Sequence, residues 1–391
     1  MKKTISIFVI LCFLVSLVSC GKNQELSFEE MTVEQKVEYL LSEMTLEEKI
    51  AQMMIVYYAG NEADDTLVEI ISNVKPGGFI LFGNNISTYE KTKNFVDILQ
   101  KNSEIPMIIS MDQEGGTVQR MLSLSEPEAT NIPSMYDLGA TEDQALAYDV
   151  GKVMAEEMRT IGVNVVFGPV VDIYSNENNT VIGTRSFGRS SELVSKMATS
   201  LARGMEDNGV IATYKHFPGH GDTAVDSHVA LPIINKSLEE LENEELVPFK
   251  AAIENDAKIV MIGHIAVPEI TGDDTPASLS KAVVTDLLKD KMGFDGLVVT
   301  DALNMGALTG NYTTDEIYKM AIEAGVDLLL MPSGSKAAIE SIKKWVSEER
   351  IDESVRKILT FKYTYLENYS SLDSSYLGSS AHKEIIAEIP R

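Results

Sequence analysis

The chain has 391 residues, 44% of them hydrophobic and 24% charged, which is enough apolar material to bury a core and excludes a disordered or low-complexity chain. Lys and Arg total 33 against 59 Asp and Glu, a formal charge of −26, and this speaks against a nucleic-acid partner, because phosphate binding needs clustered positive charge. Two cysteines leave no disulfide framework to read.

Both cysteines lie in the first twenty residues, and that segment reads as an address. Lys2 and Lys3 precede an apolar run from Ile5 to Leu17 that is too short to span a bilayer comfortably. Leu17-Val18-Ser19-Cys20 then places small or aliphatic residues before a cysteine and resembles the lipobox of bacterial lipoproteins. The resemblance implies a signal peptide over 1–19, cleaved before a lipidated Cys20, and an extracytoplasmic protein held to the membrane by its lipid. An ordinary secretory signal or a retained anchor helix is the alternative. Residues 20–40 are polar and acidic and read as a tether.

Beyond residue 40 short apolar runs alternate with segments of helical period. The runs are 53–58, 77–82, 107–112, 163–172, 210–216, 258–265, 297–301 and 326–331, nearly continuous Val, Ile, Leu and Met, as in strands buried on both faces of a parallel sheet. Between and after them, 64–74, 87–102, 141–161, 190–208, 237–256, 279–293, 313–324 and 335–348 carry helical periodicity. Ser87, Thr141 and Thr313 or Thr314 read as caps. Strand and helix repeated eight times predict an α/β chain folded as a (β/α)8 TIM-type barrel, one catalytic domain over 41–366. A doubly wound open sheet is the alternative. Residues 367–391 are polar and Ser-rich and read as a C-terminal tail.

A barrel puts its chemistry at the C-terminal ends of its strands. Several apolar runs end abruptly in polar residues: Asp112, Asp172, Lys215-His216, His264 and Asp301. Strands buried on both faces have no structural use for so many charges at one rim. After the fifth run comes Lys215-His216-Phe217-Pro218-Gly219-His220-Gly221-Asp222-Thr223-Ala224-Val225-Asp226-Ser227-His228, so four of the five histidines (His216, His220, His228, His264) fall close together. A zinc site is one reading of this cluster, although it lacks the helical His-x-x-x-His pair. Metal-free acid/base work is the favoured reading. Asp226 and His228, two residues apart in a turn, suit a carboxylate that orients an imidazole and raises its pKa. Histidines that only hold the loop through hydrogen bonds are the third.

The run KHFPGHGDTAVDSH, with MDQEGGTVQR at 111–120, VIGTRSFG at 181–188 and VVTDALNMGAL at 298–308, resembles the bacterial β-N-acetylhexosaminidases of glycoside hydrolase family 3, over about residues 45–360. The resemblance implies roles residue by residue. Asp301 matches the nucleophile, His228 the general acid/base and Asp226 its orienting carboxylate; Asp112, Arg120, Arg185, Lys215 and His216 match the sugar-binding set. Glu114 matches no functional position and reads as structural. Salt-bridge partners within the barrel are the alternative reading of Arg120 and Arg185. Thr117, Thr184 and Ala302 depart from the commonest family wording without removing a chemical group. Many members carry a second α/β domain after the barrel, which the short tail leads us to expect absent.

The activity so implied is that of a retaining exo-β-N-acetylglucosaminidase. It would release terminal N-acetylglucosamine from peptidoglycan fragments or chito-oligosaccharides through a covalent glycosyl-enzyme, as a monomer, with no cofactor and no metal. A β-N-acetylglucosaminide phosphorylase, a β-glucosidase and a non-catalytic sugar-binding lipoprotein are the alternatives.

Overall fold

A computed structural model describes residues 26–390 apart from 224–226, 228 and 229. The eight apolar runs each contribute a strand: β1 Met54–Val56, β2 Gly78–Leu81, β3 Ile108–Met111, β4 Val165–Val166, β5 Ile211–Phe217, β6 Ile259–Ile262, β7 Leu297–Thr300 and β8 Leu329–Leu330. Every strand residue is buried, as the continuous apolar wording requires of strands covered on both faces.

All the neighbouring strands are parallel and follow chain order, and β8 returns to pair with β1 through Met54↔Leu329 and Ile55↔Leu330. The last seam, between β7 and β8, is joined by the Val299↔Leu328 bridge and by the Thr300 N–H donating to the Leu328 carbonyl at 3.0 Å. The sheet therefore closes into the expected (β/α)8 barrel rather than an open doubly wound sheet. β4 is shorter than its apolar run because Pro169 has no N–H to give the ladder. Pairing resumes past it, with the Val171 N–H on the Lys215 carbonyl at 2.8 Å.

The helices follow their predicted periods, with local differences that have local causes. Thr313 caps the helix Thr314–Ala324 in a reciprocal box with Glu316. The other two expected caps move along the chain, to Thr88 and Asp143. The stretch 237–256 forms two helices, Leu238–Asn243 and Leu246–Glu254. Pro248 is tolerated only in a first turn, so the second helix has to start just before it. Ala282–Lys291 is wound as a π-helix.

Both ends of the described residues carry helix where composition suggests solvated chain. Within the stretch read as a tether, Val33–Glu43 is helical, capped by Thr32 with Gln35 at its third position, and buries Val37 and Leu41. The stretch read as a tail carries the helix Ser380–Ala387, which lies against Gln144–Thr160 and buries Ile386. Its His382 sits between Glu157 (Nδ1 to Oε1, 3.0 Å) and Glu156 (Nε2 to Oε2, 2.9 Å). Helical structure thus begins within the stretch read as a tether, at Val33, and reaches Ala387 within the stretch read as a tail.

Candidate active site

Asp112, Arg120, Arg185, Lys215, His216 and Asp301 come from positions up to 189 residues apart, yet all line one cavity of about 370 Å³. It lies at the C-terminal ends of the strands, where barrel geometry places it. A second cavity, of about 500 Å³, lies at the opposite end, beside Gln52, Lys75 and Ile105, which precede β1, β2 and β3; it contains none of the predicted residues.

The charged groups of the cavity form a chain of alternating sign. Arg120 Nη2 lies 3.5 Å from Asp112 Oδ2, and Asp112 Oδ1 accepts from Lys215 Nζ at 2.8 Å. Lys215 Nζ lies 2.6 Å from Glu114 Oε1, and Glu114 grips Arg185 with both oxygens, at 2.7 Å from Nε and 2.9 Å from Nη2. A tight hairpin, Gln113–Gly115 paired with Val118–Gln119, brings Asp112, Glu114 and Arg120 to this line. Its turn passes through Gly115 and Gly116, both at positive φ. Arg120 also lies over the Phe82 ring, 5.4 Å from its centroid.

These contacts set the protonation states. Burial pushes the Glu114 carboxyl up, but the charges of Lys215 and Arg185 outweigh it and hold the group well below the usual carboxylate range. Burial pushes Lys215 down, and Asp112 and Glu114 reverse that and raise it. Both stay charged at neutral pH, and both have almost no exposed side-chain surface. Such a pair is costly to bury unless every member is partnered, as here.

Asp301 directly follows β7, and its N–H bonds to the Ile262 carbonyl at 2.9 Å. Its side chain is half-buried at the rim of the cavity and accepts the Ala302 N–H at 2.7 Å. Burial raises its pKa, but His216, His264, the Ala302 N–H and Lys215 together lower it, so the carboxylate is ionised. An ionised carboxylate facing a cavity of cations and polar groups can act as a nucleophile.

Asp172, at the end of the apolar run that contains β4, organises the root of the histidine-rich loop. It accepts His216 Nδ1 at 2.7 Å, the His216 N–H at 3.2 Å and the His220 N–H at 2.6 Å. Burial raises its pKa, the His216 charge and hydrogen bond lower it, and the net shift is downward. An ionised carboxylate only accepts, so His216 Nδ1 donates and Nε2 remains as the ring's other nitrogen. The loop root passes so close to the chain after Asp172 that a Cβ on Gly221 would lie 1.6 Å from the Ile173 carbonyl oxygen.

The remaining histidines divide. His220 lines the cavity but is buried between Thr223 Oγ1 (2.7 Å) and Ser227 Oγ (3.3 Å), holding the loop as the third sequence reading had it. His264 is buried, with Nδ1 2.8 Å from Ser278 Oγ and Nε2 3.0 Å from the Ala302 carbonyl, and is not among the residues that line the cavity. Asp226 and His228 lie outside the described residues, as does Cys20. Ser227, between the first two in the chain, lines the same cavity as Asp301, and its carbonyl accepts the Ala307 N–H at 3.1 Å.

One residue of the site escapes the sequence reading as a functional position, Glu114; Asp172 stands there as a strand-end carboxylate, but without its partner His216. A signal for Glu114 was present, since it stands two residues beyond Asp112 in extended chain, and that spacing puts both side chains on one face.

Comparison with known proteins agrees with this geometry. The model of the Glycosyl hydrolase family 3 N terminal domain matches residues 45–361. The chain is 30% identical over 358 residues to beta-hexosaminidase A of Pseudoalteromonas piscicida, covering 83% of this chain and 59% of that protein. It is 32% identical over 328 residues to beta-hexosaminidase LpqI of Mycobacterium tuberculosis, covering 81% and 82%. Among solved structures, a family 3 beta-N-acetylglucosaminidase from Paenibacillus superposes with a TM-score of 0.82 at 36% identity, over 88% of this chain and 68% of that one. A closed barrel, a charged cavity at its C-terminal rim and a family match across almost the whole of that barrel lead to one conclusion: the chain belongs to glycoside hydrolase family 3.

Proposed function

We propose that the chain is a retaining exo-β-N-acetylglucosaminidase that removes terminal N-acetylglucosamine from peptidoglycan fragments or chito-oligosaccharides. The observation that carries the reading is the Asp301 carboxylate sharing one small cavity with Asp112, Arg120, Arg185, Lys215 and His216. At about 370 Å³ the cavity is near the lower end of ligand pockets, which span about 300–1,000 Å³, and so suits one terminal sugar rather than a bound chain. The beta-hexosaminidase names of the relatives support the same substrate class.

In this reading Asp301 attacks the anomeric carbon as the glycosidic bond breaks through an oxocarbenium-like transition state. His228, oriented by Asp226, gives a proton to the leaving oxygen and later takes one from the incoming water, so configuration is retained. Asp112, Arg120, Arg185, Lys215 and His216 hold the sugar's polar groups by charge-assisted hydrogen bonds and fix the ring for attack. One chain suffices, and no cofactor takes part.

The test is product analysis with an aryl β-N-acetylglucosaminide, chitobiose, wall fragments and an aryl β-glucoside, with and without phosphate. Free N-acetylglucosamine released in both buffers, with the glucoside cleaved far more slowly, is the expected result. A sugar 1-phosphate appearing with phosphate would replace hydrolysis by phosphorolysis. That arm is needed because a beta-glucoside phosphorylase BglX superposes with a TM-score of 0.83 at 26% identity.

The reading also places the protein outside the cytoplasm, held to the membrane through Cys20. The charged start, the apolar run and Leu17-Val18-Ser19-Cys20 support it. Among the described residues no helix is long and apolar enough to cross a membrane. Wild-type protein should partition into the detergent phase when cell extracts are separated and Cys20→Ala should not; equal partitioning would remove the anchor.

A further inference from the structure

We propose that Glu114 is a positioning residue of the sugar site: bonded to both Arg185 and Lys215, its buried carboxylate fixes the directions in which those cations present their remaining N–H groups to the substrate. The proposal rests on the reading of the cavity as a sugar site. A count of donors carries it. Lys215 has three N–H groups, and Asp112 (2.8 Å) and Glu114 (2.6 Å) engage two of them, leaving one in a fixed direction. Arg185 has five; Nε and Nη2 bond Glu114 and Nη1 bonds the Val181 carbonyl at 3.0 Å, leaving two. Both Glu114 oxygens are thereby occupied by cations, and Oε1 serves Lys215 and Arg185 together.

Without this carboxylate, two cations that now lie within 3 Å of the same oxygen would face each other in a buried site. They would separate, or the lysine would lose its proton; either change moves donors away from the sugar. The second outcome follows from the balance on Lys215, where burial opposes the charge and Asp112 and Glu114 sustain it, with Arg185 opposing. Asp301 lies close enough for Lys215 to lower its pKa, so the lysine's charge also bears on the nucleophile.

The test uses the full-length protein with Glu114→Gln, which keeps the shape and removes the charge, and Glu114→Asp, which keeps the charge on a shorter arm. Kinetics are read on an aryl β-N-acetylglucosaminide and binding of N-acetylglucosamine by calorimetry from pH 7 to 10. For Glu114→Gln we expect kcat/KM to fall about 100-fold, most of it in KM, and sugar affinity to decline with rising pH where wild-type affinity stays flat. Glu114→Asp should restore the flat pH dependence and part of the affinity. A folded Glu114→Gln with KM within twofold of wild type and a flat binding profile overturns the proposal. So does a loss of activity that reflects only a smaller folded fraction, with KM unchanged. If Glu114→Gln does not fold, Glu114→Asp decides: a KM and profile identical to wild type despite the shortened arm also overturn it. Wild-type protein that neither binds nor cleaves the sugar defeats the sugar-site reading itself, a failure distinct from an indifferent Glu114 variant in an active enzyme.

Discussion

Replacing Asp301 by Asn should lower kcat on an N-acetylglucosaminide by roughly four orders of magnitude, or about 5.4 kcal/mol of transition-state stabilisation, while the protein melts within a few degrees of wild type. The kinetic loss follows from the role: an amide cannot form the glycosyl ester that divides a difficult displacement into two easier steps. Retention of the fold follows from position. Asp301 stands at the rim after β7, half-buried, and its carboxylate accepts the Ala302 N–H, which an Asn oxygen also accepts. The neighbouring cations retain partners of their own, Lys215 and Arg185 on Glu114 and Asp112. Steady-state kinetics with a thermal melt on the same sample check both halves. Residual turnover within tenfold of wild type, in folded protein, would remove Asp301 from the reaction.

His228→Ala should lower kcat/KM about 10²- to 10⁴-fold for natural glycans, the usual worth of general acid–base catalysis, and far less for substrates whose leaving group is an acidic phenol. A sugar alkoxide is a poor leaving group and needs the proton, whereas a nitrophenolate does not. The pH profile separates this from a binding defect. A histidine acting as acid must carry its proton, so wild-type kcat/KM on glycans falls as pH rises through the imidazole pKa, and that limb should flatten in the variant. Equal losses on both substrate types, with the alkaline limb preserved, would assign the proton to another group.

The barrel was legible because its information is local and redundant. Each strand announces itself as a doubly buried apolar run, and eight such runs separated by helical period admit few closed arrangements. Asp112, Lys215, His216 and Asp301 were legible for the same reason, as polar residues interrupting apolar strands at one end. The less legible features depend on contacts distant in the chain. Glu114 meets Arg185 at a separation of 71 residues, and Asp172 meets His216 at 44. Nothing within ten residues of either carboxylate reveals its partner, so Glu114 read as structural although it stands between Lys215 and Arg185 in the cavity. The helical ends were obscured by composition: Ser-rich and Glu-rich wording resembles solvated chain, and only burial of Val37, Leu41 and Ile386 against the barrel distinguishes them.

In the proposed reaction the Asp301 carboxylate bonds covalently to a sugar. Incubating the protein with a slowly turning-over activated fluorosugar analogue of N-acetylglucosamine and mapping the modified peptide by mass spectrometry tests this directly. One sugar adduct per chain is expected, on the peptide containing Asp301, and it should disappear in Asp301→Asn. An adduct on Glu114 or another carboxylate, or steady release of sugar with inverted configuration and no adduct, would contradict it.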